Sequence, residues 1–387
     1  MNILTLTTRN IYEEGGEKTL MLAKDKFLRK LGVNTYFYSF RRNFNIKNDT
    51  QLFNIICQKK TYSLFYKKKL IKKSLMKYIN LYNINILVIS GIWLYFLKEI
   101  LLDIKQKTGV KISLDFQGAI EEIKEYKLVY NNKVLSEYLY MYMKKLENEF
   151  IKNVDGIEVV SNNAINYLKQ EYKISQHKQF VIIPCGIENP LNMSEYNRER
   201  KKWRNIFNLR EQDVGIVYAG GIHKWQRIKD IFQLIRNFSK FDNVKFFIFT
   251  SPHNQKFLKG RYRNLINKNL YFRFLPHEEL EKALCAFDIG ILFRYPDTTN
   301  YVAFPNKFSE YINARLIVLL KNKNIGCYPS GEFESFVKII NKDEDFYEII
   351  RAVQNKDYKL YDKYIQKIAY NNTIKQLVNY YENLLKI

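Results

Sequence analysis

The sequence predicts two doubly wound α/β domains in tandem, and three observations support this prediction. The chain has 387 residues, which is long for one domain and sufficient for two domains that each bury a hydrophobic core. Short apolar runs typical of parallel strands alternate with longer helical patterns. This alternation stops at a polar, charged stretch from 188 to 210 and then begins again. Each half therefore predicts its own parallel sheet, covered by helices on both faces.

The apolar runs give the expected strands and domain limits. The first half contains Asn2–Thr7, Asn34–Phe40, Ile84–Ser90, Lys111–Phe116, Gly156–Ser161 and Phe180–Pro184. The second half contains Val214–Gly220, Val244–Thr250, Asn269–Leu275, Asp288–Arg294 and Leu316–Leu320. We expect domains over 1–187 and 188–365, with a helix over 366–387. Because ligands of doubly wound sheets bind beyond the carboxyl ends of the strands, two such sheets should face one cleft, and functional residues should follow strands.

Composition restricts the partners without selecting one. The chain carries 63 Lys and Arg against 39 Asp and Glu, a formal charge of +24. This excess favours a polyanionic partner such as nucleic acid, an anionic membrane or a phosphorylated ligand. The four cysteines lie far apart and the four histidines show no metal-ligand spacing, so no metal site is expected.

The apolar segments indicate a cytoplasmic protein. The first residues become polar by the eighth position, so they lack the long apolar core of a signal peptide. The most apolar stretch, 84–102, is interrupted by polar and charged residues and predicts a buried strand followed by a helix. We therefore expect no membrane span and reduced thiols.

Two glycine-containing loops are candidates for phosphate binding. Gly15 and Gly16 follow the first strand and precede a helix, where free N–H groups can approach an anion. The alternative is a glycine pair that only forms a tight turn. In the second half, Gly220 and Gly221 follow a strand, and the basic residues nearby can neutralise a phosphate. Those nucleotide-binding candidates are Lys224 and Arg227.

A cluster of carboxylates follows the strand Lys111–Phe116. Asp115, Glu121 and Glu122 lie close in sequence at this carboxyl end. A carboxylate accepts hydrogen bonds from two sugar hydroxyls, and Asp115 can also orient an attacking hydroxyl. We expect a catalytic Asp115 with Glu121 and Glu122 binding the acceptor. The alternative is that Asp115 caps the following turn and both glutamates are solvated.

The segment from 288 to 311 is the richest in candidate residues. A strand ends in Arg294, a polar loop containing Asn300 follows, and Pro305 opens a helix that carries Lys307 and Glu310 on one face. Lys307 in the first helical turn can bind an anion, while Glu310 can accept both hydrogens of a ribose diol. The alternative is a simple ion pair between Lys307 and Glu310.

Several segments between residues 156 and 320 resemble one enzyme family. They are "EVVSNNAINYL", "VIIPCGIENP", "VGIVYAGGIHKWQ", "FLPHEELEKAL", "FDIGILFR" and "FPNKFSEYINARLIVLL". Together they are similar to the retaining GT-B glycosyltransferases of bacterial polysaccharide assembly, over residues 156–320. The resemblance implies two Rossmann-like domains facing a cleft, with a final helix that crosses back to the first domain. It also implies that Glu310 binds the nucleotide ribose and that the loop at Gly220 and Gly221 faces the diphosphate.

Three positions depart from the family pattern. The family commonly has a second glutamate eight positions before Glu310, where this chain has Val302. A lysine common after the glycine loop is replaced by Gln226. This replacement leaves diphosphate neutralisation to Arg294 and Lys307, with Lys224 or Arg227 as the alternative. The usual glycine after the helix is Arg315.

These observations predict a glycosyltransferase that moves a sugar from a nucleoside-diphosphate sugar to a hydroxyl of a glycan or lipid-linked glycan. No metal or other cofactor is expected, because helix N-termini and basic side chains can stabilise the leaving diphosphate. The family implies retention of configuration, with the leaving phosphate as the base. The alternatives are a basic nucleic-acid-binding protein without transferase activity, and a GT-B epimerase or phosphorylase.

A basic stretch in the first half predicts attachment to the inner face of the membrane. Residues 59–73 interleave lysines with aromatic and aliphatic residues, a pattern typical of a helix lying on an anionic leaflet. The alternative is a solvated helix face whose apolar side packs on the first sheet.

Overall fold

The computed structural model describes residues 1–8, 16–41, 55–60, 63–127, 131–175, 177–266, 268–340 and 345–386. The chain forms two compact units. Unit 1 contains Met1–Glu188, Tyr301–Phe304 and Tyr370–Ile387. Unit 2 contains Asn189–Asn300 and Pro305–Ala369.

Unit 1 contains one parallel sheet of seven strands, in the order β3-β2-β1-β4-β5-β6-β7. The strands are β1 (Asn2–Thr7), β2 (Asn34–Arg41), β3 (Ile55–Lys60), β4 (Ile86–Ser90), β5 (Lys111–Phe116), β6 (Gly156–Val159) and β7 (Gln179–Ile182). The helices are α1 (Gly16–Lys30), α2 (Ser63–Tyr66), α3 (Lys68–Leu81), α4 (Lys98–Thr108), α5 (Glu122–Glu125), α6 (Lys133–Asn153) and α7 (Asn162–Tyr172). A 3₁₀ turn, Ile92–Leu97, follows β4.

Unit 2 contains a parallel sheet of six strands, in the order β10-β9-β8-β11-β12-β13. The strands are β8 (Val214–Ala219), β9 (Val244–Phe249), β10 (Leu270–Arg273), β11 (Ile289–Ile291), β12 (Ile317–Leu320) and β13 (Val337–Ile339). The helices from 193 to 368 are α8 (Met193–Ile206), α9 (Ile228–Phe238), α10 (Pro252–Arg261), α11 (His277–Ala283), α12 (Thr298–Val302), α13 (Asn306–Asn313), α14 (Asp345–Gln354) and α15 (Tyr358–Ile368). The last helix, α16 (Tyr370–Lys386), belongs to unit 1.

Local sequence signals explain where several helices begin. Asn192 accepts a hydrogen bond from the N–H of Glu195, and the Glu195 carboxylate accepts one from the N–H of Asn192, at 2.9 and 3.0 Å. This reciprocal pair is a capping box, and it starts α8. Asn132 and Ser161 accept hydrogen bonds from the first N–H groups of α6 and α7. Such caps satisfy donors that have no partner within the helix.

Helix α16 completes the core of unit 1. It contacts α1 and β7 and buries Ile374, Leu377, Tyr381 and Leu384. The Tyr381 hydroxyl donates to Glu158 at 2.7 Å. The helix predicted over the last residues therefore buries one apolar face in unit 1, while Leu385 is exposed.

The fold-class prediction is confirmed: both sheets are parallel and doubly wound. All eleven expected strands coincide with strands of the structure. The two strands that the sequence did not predict, β3 and β13, lie at the edges of their sheets. Edge strands commonly carry lysines, and β3 ends in Lys59 and Lys60. These charged residues obscured its apolar pattern in the sequence.

The expectation of one basic helix over 59–73 was wrong. Strand β3 ends at Lys60, residues 61 and 62 lie outside the described residues, and α2 and α3 follow as separate helices. Only the last part of this stretch is therefore the start of a long helix. Within the part of the chain that the structure describes, no helix has the length and apolar character needed to cross a bilayer.

Candidate functional site

The strand order of unit 2 reverses between β8 and β11. From β8 the chain continues to β9 and β10 on one side, and from β11 it continues to β12 and β13 on the other. Because the two connections diverge, the loops that follow β8 and β11 flank a crevice at the carboxyl edge of the sheet. This topological switch point is where ligands of doubly wound sheets bind.

Gln226 lies at the centre of this crevice. Its side-chain oxygen accepts hydrogen bonds from the Tyr218 hydroxyl at 3.1 Å, from Lys307 Nζ at 3.0 Å and from Arg294 Nη1. Tyr218 is in β8, Gln226 is in the 3₁₀ turn Lys224–Gln226, Arg294 follows β11, and Lys307 is in the first turn of α13. The buried side-chain amide of Gln226 therefore connects β8 with the loop after β11 and with α13.

Lys307 is a cation held by neutral oxygens. Its ammonium donates to the Tyr218 hydroxyl at 3.1 Å and lies 4.2 Å from the centre of the Tyr218 ring. It forms no ion pair with any carboxylate among the described residues. Burial and the nearby charge of Arg294 lower the pKa of Lys307 well below its usual value. Burial, Lys307 and Arg294 likewise lower the pKa of His223. A bound anion would favour the protonated forms of Lys307 and His223 and would therefore raise both pKa values.

Two glycines allow α13 to lie close to the sheet. Gly220 has a φ of +126°, and a Cβ at this position would lie 2.5 Å from the Lys307 Cε. A Cβ on Gly290 would lie 2.5 Å from the ring of Tyr311. The Tyr311 hydroxyl accepts a hydrogen bond from the Ala219 N–H at 3.1 Å. Without these glycines, neither Lys307 nor Tyr311 could occupy its position.

Glu310 is a half-buried carboxylate, three residues after Lys307 on α13. Its carboxylate makes no hydrogen bond or ion pair with any other described residue. Burial raises the pKa of Glu310, while the charges of His277 and Lys307 act in the opposite direction. The ion pair between Lys307 and Glu310, considered as an alternative, does not form. Glu310 therefore keeps its full capacity to accept hydrogen bonds from a ligand.

Arg315 fixes the end of α13. It has a φ of +57°, a left-handed conformation that favours glycine at this position of a helix end. Its fully buried guanidinium donates to Leu191 O at 2.8 Å, to Asp362 at 2.6 Å and to Asn313 O at 3.0 Å. These buried hydrogen bonds offset the cost of the backbone conformation and explain why arginine replaces the expected glycine.

The remaining nucleotide-binding candidates differ in their surroundings. Lys224 is exposed. Arg227 pairs with Asp230 at 2.6 Å and donates to Arg294 O at 3.4 Å. Asn300 is buried, and its amide donates to Asp297 at 2.8 Å. Pro305 is the N-cap of α13.

The glycine candidates also differ. The Gly220 N–H donates to Phe249 O at 2.8 Å, whereas the Gly221 N–H has no acceptor among the described residues. Gly16 is the first residue of α1, and Gly15 lies outside the described residues. Gly221 therefore has a backbone donor without an acceptor among the described residues.

Asp115 is engaged within unit 1. Its buried carboxylate accepts hydrogen bonds from Lys24 at 2.8 Å, Ser90 at 2.8 Å and Gln117 at 2.7 Å. Lys24 also pairs with Glu158 at 2.8 Å. Burial opposes the charge of Lys24, but the two carboxylates outweigh it and raise the Lys24 pKa. These contacts engage Asp115 within unit 1, and its catalytic role stays a prediction.

The two glutamates expected to bind the acceptor are not both solvated. Glu121 is buried and accepts hydrogen bonds from Lys144 at 2.6 Å and Tyr167 at 2.7 Å. Burial alone would raise the pKa of Glu121, but these two donors lower it. Glu122 is half-buried. Lys144 and Tyr167 compensate the charge of Glu121 without any bound sugar acceptor. The role of both glutamates in binding the sugar acceptor stays a prediction.

The sequence did not identify Tyr218, His223 or Gln226 as site residues. The available sequence signal for Gln226 was that it occupies the position of a lysine common in the family. Its contacts join residues up to 81 positions apart, so they depend on the folded sheet. Among the described residues, no group of three or more His, Cys, Asp or Glu side chains could hold a metal ion.

Comparisons with known proteins identify the architecture. No family model and no curated protein sequence matches this chain. Sucrose-phosphate synthase from Thermosynechococcus elongatus matches over 100% of this chain and 99% of its own, with a TM-score of 0.69 and 12% identity. The lipopolysaccharide outer core galactosyltransferase WaaB matches over 98% of this chain and 99% of its own, with a TM-score of 0.65 and 12% identity.

A third structure has a different activity. UDP-GlcNAc 2-epimerase from Neisseria meningitidis, bound to UDP-GlcNAc, matches over 100% of both chains, with a TM-score of 0.58 and 13% identity. At these identities the likeness establishes the fold alone. The chain has the GT-B fold, with two Rossmann-like units.

Proposed function

We propose that this protein is a glycosyltransferase whose unit 2 binds a nucleoside-diphosphate sugar at the switch point of its sheet. The observation that carries the proposal is a pair of side chains on α13. The Lys307 ammonium has no carboxylate partner, and the Glu310 carboxylate has no donor, among the described residues. Two buried or half-buried groups of opposite charge, one turn apart, match the phosphate and the ribose diol of one nucleotide.

The diphosphate lies against the cationic part of the crevice in this proposal. Lys307 and Arg294 both reach Gln226, so their positive charges are close together in a region of restricted solvent access. The Gly221 N–H adds a neutral donor. Such fixed charges and dipoles stabilise the negative charge that develops on the leaving phosphate, without the need to reorganise solvent.

The ribose lies against Glu310 in the same pose. A carboxylate with two free oxygens accepts one hydrogen bond from each of two neighbouring hydroxyls. Charged hydrogen bonds of this kind contribute about 1.5–3 kcal/mol each. Binding of the diol would also satisfy a carboxylate that burial now disfavours, as the raised pKa of Glu310 indicates.

The acceptor and the stereochemistry rest on the family resemblance. We propose a glycan or lipid-linked glycan hydroxyl as acceptor and transfer with retention, with the leaving phosphate as the base. A structural neighbour named as a lipopolysaccharide galactosyltransferase supports this class of acceptor. Because Asp115 has three internal donors, the proposal assigns it no catalytic step.

Release of nucleoside diphosphate from a panel of UDP-, GDP- and ADP-sugars tests the activity. We expect one donor to be turned over, slowly by hydrolysis and faster when a glycan acceptor is present. Lys307→Met should reduce turnover by about a hundredfold or more, as loss of one donor to a developing oxyanion does elsewhere. Lys240→Met, which changes an exposed lysine beyond the end of α9, is the matched control and should leave turnover unchanged.

A sugar-nucleotide epimerase is the second candidate, because a UDP-GlcNAc 2-epimerase shares the fold. Analysis of the sugar product separates the two reactions. An epimerase returns an isomeric sugar without an acceptor, whereas a transferase forms a new glycosidic bond. Turnover of none of the donors, with or without acceptors, would contradict both assignments.

A further inference from the structure

Helix α6 exposes an apolar face that none of the described residues covers. Val134, Leu135, Tyr138, Met141 and Tyr142 are 76%, 50%, 74%, 64% and 46% exposed. At 3.6 residues per turn, these five positions fall within an arc of about 120°. The residues that pack α6 onto the sheet lie on the other side and include Met143 and Phe150, which are buried. The helix is therefore apolar toward the core and also toward solvent.

This surface continues beyond α6. The Tyr142 ring lies 5.9 Å from Phe96, which stacks on Trp93 with ring centres 6.2 Å apart. Trp93 and Phe96 are half-buried in the 3₁₀ turn Ile92–Leu97, which contacts both α6 and α2. Helix α2 ends at Tyr66, which is 84% exposed. The exposed face of α6, this turn and Tyr66 together form what we name the α6 surface.

Lysines surround the α6 surface. Lys67, Lys68 and Lys69 follow Tyr66 and are exposed. Lys133 and Lys145 are exposed at the two ends of the exposed part of α6. The acidic side chain on this part of the helix is Glu137. The surface thus combines aliphatic and aromatic groups with a positive margin.

We propose that the α6 surface docks unit 1 on an anionic lipid bilayer. Tyrosine and tryptophan favour the boundary between headgroups and acyl chains, where an apolar ring and a polar tip are both satisfied. The lysines add attraction to anionic headgroups. A second copy of this chain fits less well, because a symmetric contact would bring the lysine margins of the two copies together. The proposal goes beyond the transferase assignment and does not depend on it.

The surface also changes the interpretation of the basic stretch over 59–73. That stretch was expected to supply both the charge and the apolar contact. In the structure Leu64 and Ile71 are buried, and Lys72 pairs with Asp103 at 2.6 Å. Its exposed lysines therefore supply charge, while α6 supplies most of the apolar contact.

Co-sedimentation of the full chain with phosphatidylcholine vesicles, with and without about a third phosphatidylglycerol, tests the proposal. Binding should require the anionic lipid and weaken as salt rises from about 0.05 to about 0.3 M, because the Debye length shortens. The double variant Tyr138→Ser/Met141→Ser should bind at least about tenfold more weakly, since two apolar side chains no longer enter the bilayer. Lys67→Gln/Lys68→Gln/Lys69→Gln should lose about fivefold for each lysine.

The matched control is Phe274→Ser/Tyr347→Ser, which removes two equally exposed aromatic residues from unit 2. It should bind within about twofold of the wild-type protein. Circular dichroism melting of all variants separates lost binding from lost folding, and nucleotide affinity, measured separately, should not change. Equal binding to both vesicle types, or no effect of the α6 substitutions, would overturn the proposal. A dimer that dissociates on Tyr138→Ser/Met141→Ser would assign the surface to a second copy instead.

Discussion

At the scale of single residues, the state of Lys307 matters most for the site. Its ammonium is buried against neutral oxygens and beside Arg294, and these surroundings lower its pKa. A lysine with a lowered pKa loses its proton at a lower pH than it would in the unfolded chain. A bound diphosphate favours the protonated form, so nucleotide binding above that pKa requires uptake of a proton.

The affinity for a nucleoside diphosphate should therefore fall as pH rises through the lowered pKa of Lys307, by up to about tenfold per pH unit. Calorimetry between pH 6 and pH 10 in buffers of different ionisation enthalpy measures both the affinity and the proton uptake. Lys307→Arg keeps its charge over this range and should show a flat profile. Proton uptake that persists unchanged in Lys307→Arg would assign the effect to another group.

A second residue-scale prediction concerns stability. Glu147 is fully buried in α6 and accepts hydrogen bonds from the hydroxyls of Tyr95 and Tyr172. Burial raises the pKa of Glu147 from 4.5 to about 7. Between these two values the native state holds a proton that the unfolded state releases, so the free energy of unfolding falls as pH rises.

Glu147→Gln should remove this dependence, because the amide stays neutral and keeps a similar shape. From pH 4.5 to pH 8, the free energy of unfolding of the wild-type protein should fall by up to about 3 kcal/mol relative to that of Glu147→Gln. Urea titrations at four pH values measure it. A difference that stays constant over this range would contradict the raised pKa.

The sequence predicted the site residues whose placement depends on local strand and helix patterns, and it missed contacts between residues that are far apart in the chain. Gly220, Arg294, Lys307 and Glu310 lie where local strand and helix patterns placed them, and the first three meet at one crevice. Asp115 also follows its strand as predicted, yet its partner Lys24 is 91 positions away. No local pattern shows such a partner, so the sequence could not predict the buried ion pair of Asp115.

At the scale of elements, the site depends on the close approach of α13 to β8 and β11. Gly290 in β11 faces the ring of Tyr311, and Tyr311 bonds to Ala219 in β8. Gly290→Ala should push α13 away from the sheet, since a Cβ would lie 2.5 Å from the ring. We expect a loss of about 1–3 kcal/mol in stability from overpacking, together with weaker nucleotide binding.

Gly260→Ala is the matched control for this prediction. Gly260 lies in α10, and a Cβ there would meet no atom within 4 Å. Alanine is favoured over glycine in a helix, and Gly260 lies in the last turn of α10, so this variant should be at least as stable as the wild-type protein. Differential scanning calorimetry and nucleotide titration of both variants provide the comparison. If Gly290→Ala had the stability and the nucleotide affinity of the wild-type protein, the close approach of α13 to the sheet would not be needed for the site.

The central strands were more predictable than the edges for a physical reason. All five residues of β4 are buried, and a strand covered on both faces appears in sequence as a continuous apolar run. Within the described residues, strand β3 pairs with β2 alone and carries Gln58, Lys59 and Lys60. Its sequence lacks that run, and its hydrogen bonds to β2 are what make it a strand.

At the scale of the whole molecule, the charge of +24 predicts adsorption to many polyanions. Binding to arbitrary duplex DNA through phosphate neutralisation should be lost between about 0.05 and about 0.2 M salt. Fluorescence anisotropy of a labelled duplex measures this loss. Tight, sequence-selective DNA binding at the higher salt concentration would favour the nucleic-acid-binding alternative over the transferase.

The measurement that tests the central claim most directly is nucleotide binding by the wild-type chain and Glu310→Gln. Thermal shift across UDP, GDP, ADP, CMP and their sugars identifies the ligand, since a ligand stabilises the state that binds it. Calorimetry then compares the variants, with the exposed Glu278→Gln as control. We predict that Glu310→Gln weakens binding by about 1.5–3 kcal/mol, the contribution of a charged hydrogen bond, and that Glu278→Gln does not. Equal nucleotide affinity in folded Glu310→Gln and wild-type protein would contradict the account.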